Sequence, residues 1–229
     1  MPCITEHPLY AKTLSNLERT VVRDKLLRLV QYYARFMAYY TLRKGYSKGI
    51  VQHYDIIKKQ LSLARKLFRV GKPFGALKAF LAELRNQTAD PVLHFTTLAR
   101  NFGYGGYLTL DIFNWAQSVK LANFDAKTAH LLGVWANRLW LVSTLSQLVA
   151  AVYNLYRADA KIRTLTNSEK DEAVRKQTEA QIKKLRVQSL WYLLDSCIPA
   201  TSLGYTPLDD GFVGICGVIT SYIGLKSVW

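Results

Sequence analysis

Lys58, Lys59, Arg65, Lys66 and Arg69 are the residues whose type and spacing promise the most chemistry, because at about 100° per residue they fall on one side of a single helix. Ile50, Tyr54, Ile57, Leu61, Ala64 and Phe68 take the other side, in a stripe that Ile56, Leu63 and Leu67 broaden; only Asp55 dilutes the positive face. The chemistry is recognition rather than bond making. Ammonium and guanidinium groups beside a broad apolar stripe hold anionic headgroups while the apolar side chains enter the headgroup boundary. Gly49 to Lys72, about six turns of helix, is therefore expected to lie on a membrane: Ile50, Tyr54, Ile57, Leu61, Ala64 and Phe68 would insert, and Lys58, Lys59, Arg65, Lys66 and Arg69 would touch anionic lipid. The competing expectation is a bundle helix with a solvated face.

No other constellation points to catalysis. His7, His53, His94 and His130 are scattered, with no His-x-x-x-His or Cys-x-x-Cys pair, so no metal site is expected. Cys3, Cys197 and Cys216 are too dispersed for a disulfide framework and read as packing thiols in a reducing compartment. Gly103-Tyr104-Gly105-Gly106 lacks the later glycine of a dinucleotide turn and the Gly-Lys-Ser/Thr ending of a phosphate loop, and reads as a helix break. Asp111 and Asp195 stand in apolar runs, where a carboxylate marks a solute path or, more simply, a helix end. No catalytic residue and no cofactor is expected.

The elements that must carry the basic helix follow from charge and hydrophobicity. The 229-residue chain has a net charge of +15, concentrated at one end: fifteen Lys and Arg stand against four Asp and Glu through Lys72, and sixteen against twelve afterwards. A polyanion is the partner that such a bias meets, either lipid headgroups or nucleic acid. Half of the residues are hydrophobic, and past the middle they cluster in uncharged runs that a soluble nucleic-acid binder does not need. No secretory signal is read in the first thirty residues, and the ending Lys226-Ser-Val-Trp229 is not a Ser-Lys-Leu type address.

Along the chain, a short amphipathic segment around Leu9, Leu14 and Leu17 precedes a helix from Val21 to Arg43 with Thr20 as N-cap. Leu26, Leu29, Val30, Tyr33, Phe36, Met37 and Tyr40 form its apolar face, opposite Arg28, Gln31 and Arg35. Gly75 to Gln87 reads as a second short helix, closed by the turn at Asp90-Pro91. Asn101 to Val119 carries only Asp111 as a charge; Asp125 can cap a helix running to about Arg157, within which Leu139 to Tyr156 is eighteen uncharged residues, long enough to span a membrane. Its Ser143, Thr144, Ser146, Gln147 and Asn154 suit packing against other helices. Ala158 to Arg186 reads as a charged, solvated loop and helix. Val187 to Ala200 and Gly211 to Leu225 are apolar again, and Gly211, Gly214 and Gly217 line one side of the latter, at a spacing that permits close helix packing or self-association. The fold expected is all-α and membrane-associated. Its regions are 1–88, basic and amphipathic; 89–157, hydrophobic and membrane-embedded; 158–186, charged and exposed; and 187–229, glycine-rich and membrane-embedded.

Arg23-Asp24-Lys25, Arg28, Gln31-Tyr32 and Arg35-Phe36, with Ala64-Arg65-Lys66-Leu67-Phe68-Arg69-Val70-Gly71-Lys72-Pro73 after them, resemble the peroxin-11 family of peroxisomal membrane-elongation proteins in its fungal form. Asp210-Gly211, Gly214, Gly217 and Ser221-Tyr222-Ile223-Gly224-Leu225 resemble that family's glycine-rich C-terminal segment, so the likeness covers nearly the whole chain in order. The resemblance implies a non-enzymatic protein of the peroxisomal membrane that tubulates the organelle before fission and controls its number and size. Implied partners are the anionic phospholipid membrane, further copies of the chain, and dynamin-type fission machinery with its adaptors, and no nucleic acid. An oligomeric channel for small solutes, sensitive to Asp111 or Asp195, is the alternative that the resemblance leaves open.

Overall fold

Basic and apolar stripes at helical spacing make helices here wherever the chain is described. The computed structural model describes residues 8–86, 90–165 and 169–229, so the readings of Cys3 and His7 lie outside the described residues. Eight helices and no strand occur among the described residues: α1 (Pro8–Glu18), α2 (Thr20–Arg43), α3 (Lys48–Leu67), α4 (Lys72–Leu84), α5 (Pro91–Ser118), α6 (Ala126–Thr164), α7 (Glu169–Ser202) and α8 (Asp210–Lys226). The all-α expectation holds.

They form two compact units, and the division differs from the four regions expected. One unit contains the chain up to Val70 together with Pro207–Trp229; the other is Gly71–Thr206. The break falls at Gly71, whose φ of 89° a residue with a side chain would adopt only with strain, rather than near residue 88. The glycine-rich α8 thus belongs with the basic N-terminal helices, not with the long apolar ones.

In the first unit α2 is the central element, packed against α1, α3 and α8. Thr20 is the first helical residue instead of the cap: Arg19 takes the N-cap position without a side-chain bond. At the start of α8, Asp209 accepts from the Phe212 backbone N–H at 2.7 Å and from the Tyr39 hydroxyl at 2.8 Å, while Arg35 holds Asp210 through Nη2 and Nε. At its far end Arg19 donates to the Val228 carbonyl at 2.7 Å.

In the second unit the contacts run in chain order, α4 on α5, α5 on α6, and α6 on α7. Asp90 caps α5, accepting from Val92 N–H at 3.0 Å, and Asp125 caps α6 as expected, accepting from Thr128 N–H at 3.2 Å. The glycine cluster does not break α5. A Cβ at Gly103 would lie 2.6 Å from the Leu139 carbonyl oxygen and 2.9 Å from the Ser143 nitrogen, so glycine there lets α5 and α6 meet backbone to backbone. α6 runs past Arg157 to Thr164, and α7 passes through Pro199 to Ser202; a proline so close to a helix end disturbs few hydrogen bonds.

Candidate membrane interface

The polar residues of α2 at positions 24, 28, 31 and 35 lie on one helical meridian, and that meridian faces inward. Asp24 is 6 % exposed and Arg28 7 %. Arg65 of α3, 8 % exposed, donates through Nε to Asp24 Oδ1 at 3.0 Å and through Nη1 to Gln31 Oε1 at 2.6 Å. Arg28 Nη2 donates to Thr220 Oγ1 of α8 at 3.2 Å. Burial pushes the Arg65 guanidinium below its ordinary pKa, and the Asp24 carboxylate opposes that fall. A buried guanidinium this well bonded fixes the angle at which its helix rests.

Arg65 therefore rolls α3. It stands at the edge of the cationic side that borders the apolar stripe, so drawing it into the unit carries Tyr54 and Leu61 partly inward with it and leaves Ile56, Lys59 and Leu67 outward. Of the residues expected to insert, Ile50 is exposed, whereas Tyr54, Ile57, Leu61, Ala64 and Phe68 are half-buried. Ile56 and Leu67, which only broadened the expected stripe, are 50 % and 52 % exposed. Phe68 and Arg69 fall just beyond the last residue of α3. Among the expected headgroup contacts, Arg65 requires correction, since its charge is spent inside the protein on Asp24. Lys58 is half-buried and bonded to Asp55 at 2.6 Å, Arg69 donates to the Arg65 carbonyl at 3.1 Å, Lys66 is half-buried, and Lys59 is exposed.

Part of the outward surface of this unit is apolar, between exposed charges such as Arg23, Arg43, Lys44 and Lys48. Val30, Tyr33 and Tyr40, from the apolar face of α2, are exposed. So are Phe212, Ile215, Ile219 and Tyr222 of α8, one stripe at steps of three and four. Gly211, Gly214 and Gly217 occupy the opposite side and serve close packing, but within the chain: a Cβ on them would strike Tyr39, Phe36 and Tyr32 of α2 respectively. That contact uses the glycines inside the unit, and self-association would need another surface. Asp24, Arg28 and Arg65 buried inside, with large apolar groups among the exposed ones, suit a lipid surround over part of this unit.

α6 repeats the pattern. Leu131, Trp135, Val142, Leu145, Val149, Val152 and Tyr156 form one exposed stripe, while Ala136, Ser143, Ala151 and Ala158, on the opposite side, are buried. The uncharged stretch from Leu139 to Tyr156 is about 27 Å long, close to the roughly 30 Å of bilayer hydrocarbon; α6 is the one helix among the described residues long and apolar enough to cross a membrane. Asp111 and Asp195 are buried and engaged within the second unit.

The family model for peroxisomal biogenesis factor 11 (PEX11) matches residues 10–229. The chain belongs to the peroxisomal biogenesis factor 11 family. It is similar to peroxisomal biogenesis factor 11 of Schizosaccharomyces pombe, with 26 % identity covering 100 % of this chain and 98 % of that one. It is similar also to peroxisomal membrane protein PMP30A of Candida boidinii, at 29 % identity over 97 % and 95 % of the two chains, and to PMP27 of Saccharomyces cerevisiae, at 28 % over the same shares. No solved structure matches. This member of the family is a peroxisomal membrane protein with a role in peroxisome biogenesis and proliferation, and the family is one of biogenesis factors rather than enzymes.

Sequence reasoning gave no role to Asp24 or Thr220, and set Arg28, Gln31 and Arg35 only as the side opposite the apolar face of α2. One signal was present. A polar meridian four places long on a helix otherwise bound for a membrane has to find partners in the protein, and Arg65 and Asp210 were the charges available to it.

Proposed function

We propose that this protein elongates the peroxisomal membrane before fission by laying its N-terminal helices in one leaflet, and that it self-associates there and engages dynamin-type fission machinery through its adaptors. The observation that carries the reading is the outward apolar surface of the basic unit. On α3 that surface centres on Ile50, Ile56 and Leu67, with Lys59 beside it at the level of anionic headgroups. Each of these apolar side chains is already about half covered, so full burial in lipid contributes roughly 1 kcal/mol apiece. Shallow insertion into a single leaflet expands that leaflet against the other, and the bilayer bends.

The test is reconstitution of the full chain into anionic liposomes beside an Ile56→Glu/Leu67→Glu variant. Tubules with the parent and none with the variant, at equal membrane incorporation and equal helix content, are expected. Unchanged tubulation by the variant would sink the assignment to α3. The channel reading gains less from the molecule, because Asp111 and Asp195 are both buried and engaged by neighbours instead of facing open space.

A further inference from the structure

We infer that a polar cleft of about 210 Å³ between α5, α6 and α7 is a binding site for a phosphate ester, centred on Arg100. Its walls carry Thr97 and Arg100 from α5, Asn154 from α6, and Gln188 and Tyr192 from α7. Arg100 is exposed and Thr97, Asn154, Gln188 and Tyr192 are half-buried, with the Arg100 charge close enough to act on the Tyr192 hydroxyl. Thr96, Ser146 and Gln147, also in the lining, bond back to the Val92, Val142 and Ser143 carbonyls of their own helices. The five groups converge on the cleft from three separate helices.

Donors dominate the cleft. A guanidinium, two carboxamides and two hydroxyls offer a fork of charged N–H groups surrounded by neutral donors, which is the complement of a phosphate's several oxygens. The volume corresponds to about seven waters, room for a phosphate and the first atoms of its alcohol. Asp195, one turn beyond Tyr192, is buried and held within the fold. Ala150, Ala151 and Leu185 supply an apolar wall suited to the ester's carbon side.

Position narrows the source to two. Thr97 and Arg100 lie about two to three turns into α5, roughly 10–15 Å along its axis from Asp90, and Asn154 is one turn short of Arg157 on α6. A lipid headgroup reaches that depth from the interface, and so does a soluble ester entering from the same end. The site lies within the second unit, and its test does not depend on the remodelling surface.

The test uses the purified full chain in maltoside micelles, which carry no phosphate. Glycerol 3-phosphate and a short-chain phosphatidic acid are titrated calorimetrically, with the matching diacylglycerol as control. Saturable binding of one ester per chain is expected, weakened about tenfold or more by Arg100→Gln and partly restored by Arg100→Lys. Binding of glycerol 3-phosphate assigns a soluble ester; binding of phosphatidic acid alone assigns a headgroup. Asn154→Leu, which leaves the charge in place, is the second variant and is expected to weaken the same titration. Absence of binding by both esters, or binding that neither Arg100→Gln nor Asn154→Leu weakens, overturns the site.

Discussion

Replacing Asp24 by Asn removes the one carboxylate bonded to Arg65 while preserving its shape. At 3.0 Å and an effective dielectric of about 20, the attraction lost is about 5 kcal/mol, and breaking a buried pair from one side typically costs about 3–5 kcal/mol. The repulsion that buried Arg28 already exerts on Arg65 is no longer opposed once the Asp24 charge is gone. For a chain of this size, that corresponds to a fall of about 10 °C in melting temperature. Circular dichroism of the purified protein in a mild detergent would read it. The decisive companion is Asp24→Asn/Arg65→Gln, which removes both charges and should recover a substantial part of the loss, since the penalty is chiefly an unpaired buried cation. A single variant that melts within about 1 °C of the parent, or a double variant whose loss is the sum of the two single ones, would refute the claim that this pair sets the roll of α3.

Gly103→Ala is expected to destabilise by about 1–3 kcal/mol through collision with the α6 backbone, whereas Gly133→Ala, whose Cβ meets nothing within 4 Å, should be neutral or stabilising by up to about 1 kcal/mol; paired melts distinguish them. Asp90 is held below the usual carboxylate range by the Tyr153 hydroxyl first and by the α5 backbone N–H groups, so its folded pKa lies under its unfolded value of about 3.9. Its stabilisation is complete above that value and lost as pH falls through the folded pKa; melts of the parent should therefore drop more steeply below about pH 4 than those of Asp90→Asn, and parallel curves would contradict this. The distribution of cations favours placing the basic residues through Lys72 and the Lys161 to Arg186 region on one side of the membrane. Labelling of Lys48→Cys and Lys176→Cys from the same face of intact peroxisomes, in a background lacking the three native cysteines, is expected, and opposite faces would exclude the arrangement.

Periodicity made the helices legible, because Val21 to Arg43 and Leu139 to Tyr156 carry runs too long and too regular to be anything else. It could not say which side of each helix is the inside. In a soluble protein the greasy meridian of α2 would face the core, and Val30, Tyr33 and Tyr40 would be covered. In a lipid setting the ordering reverses: apolar groups have a solvent of their own, and it is Asp24, Arg28 and Gln31 that must be sheltered. The same inversion explains α3, where Arg65 lies on the cationic side by every count of angles yet is the least exposed residue of its helix. It also explains α8, where glycines spaced for contact between molecules are used for contact with Tyr32 and Phe36 of the same one. A helical wheel distributes residues about an axis, but the rotation about that axis is set by partners far away in sequence: Asp24 is forty-one residues from Arg65 and Arg28 is 192 from Thr220. What the wheel does contain is a count of polar groups that lipid will not accept. On α2 that count, matched against Arg65 and Asp210 as the charges left to answer it, already selects the inward meridian. The roll of α3 and the inside position of α8 follow from that one choice.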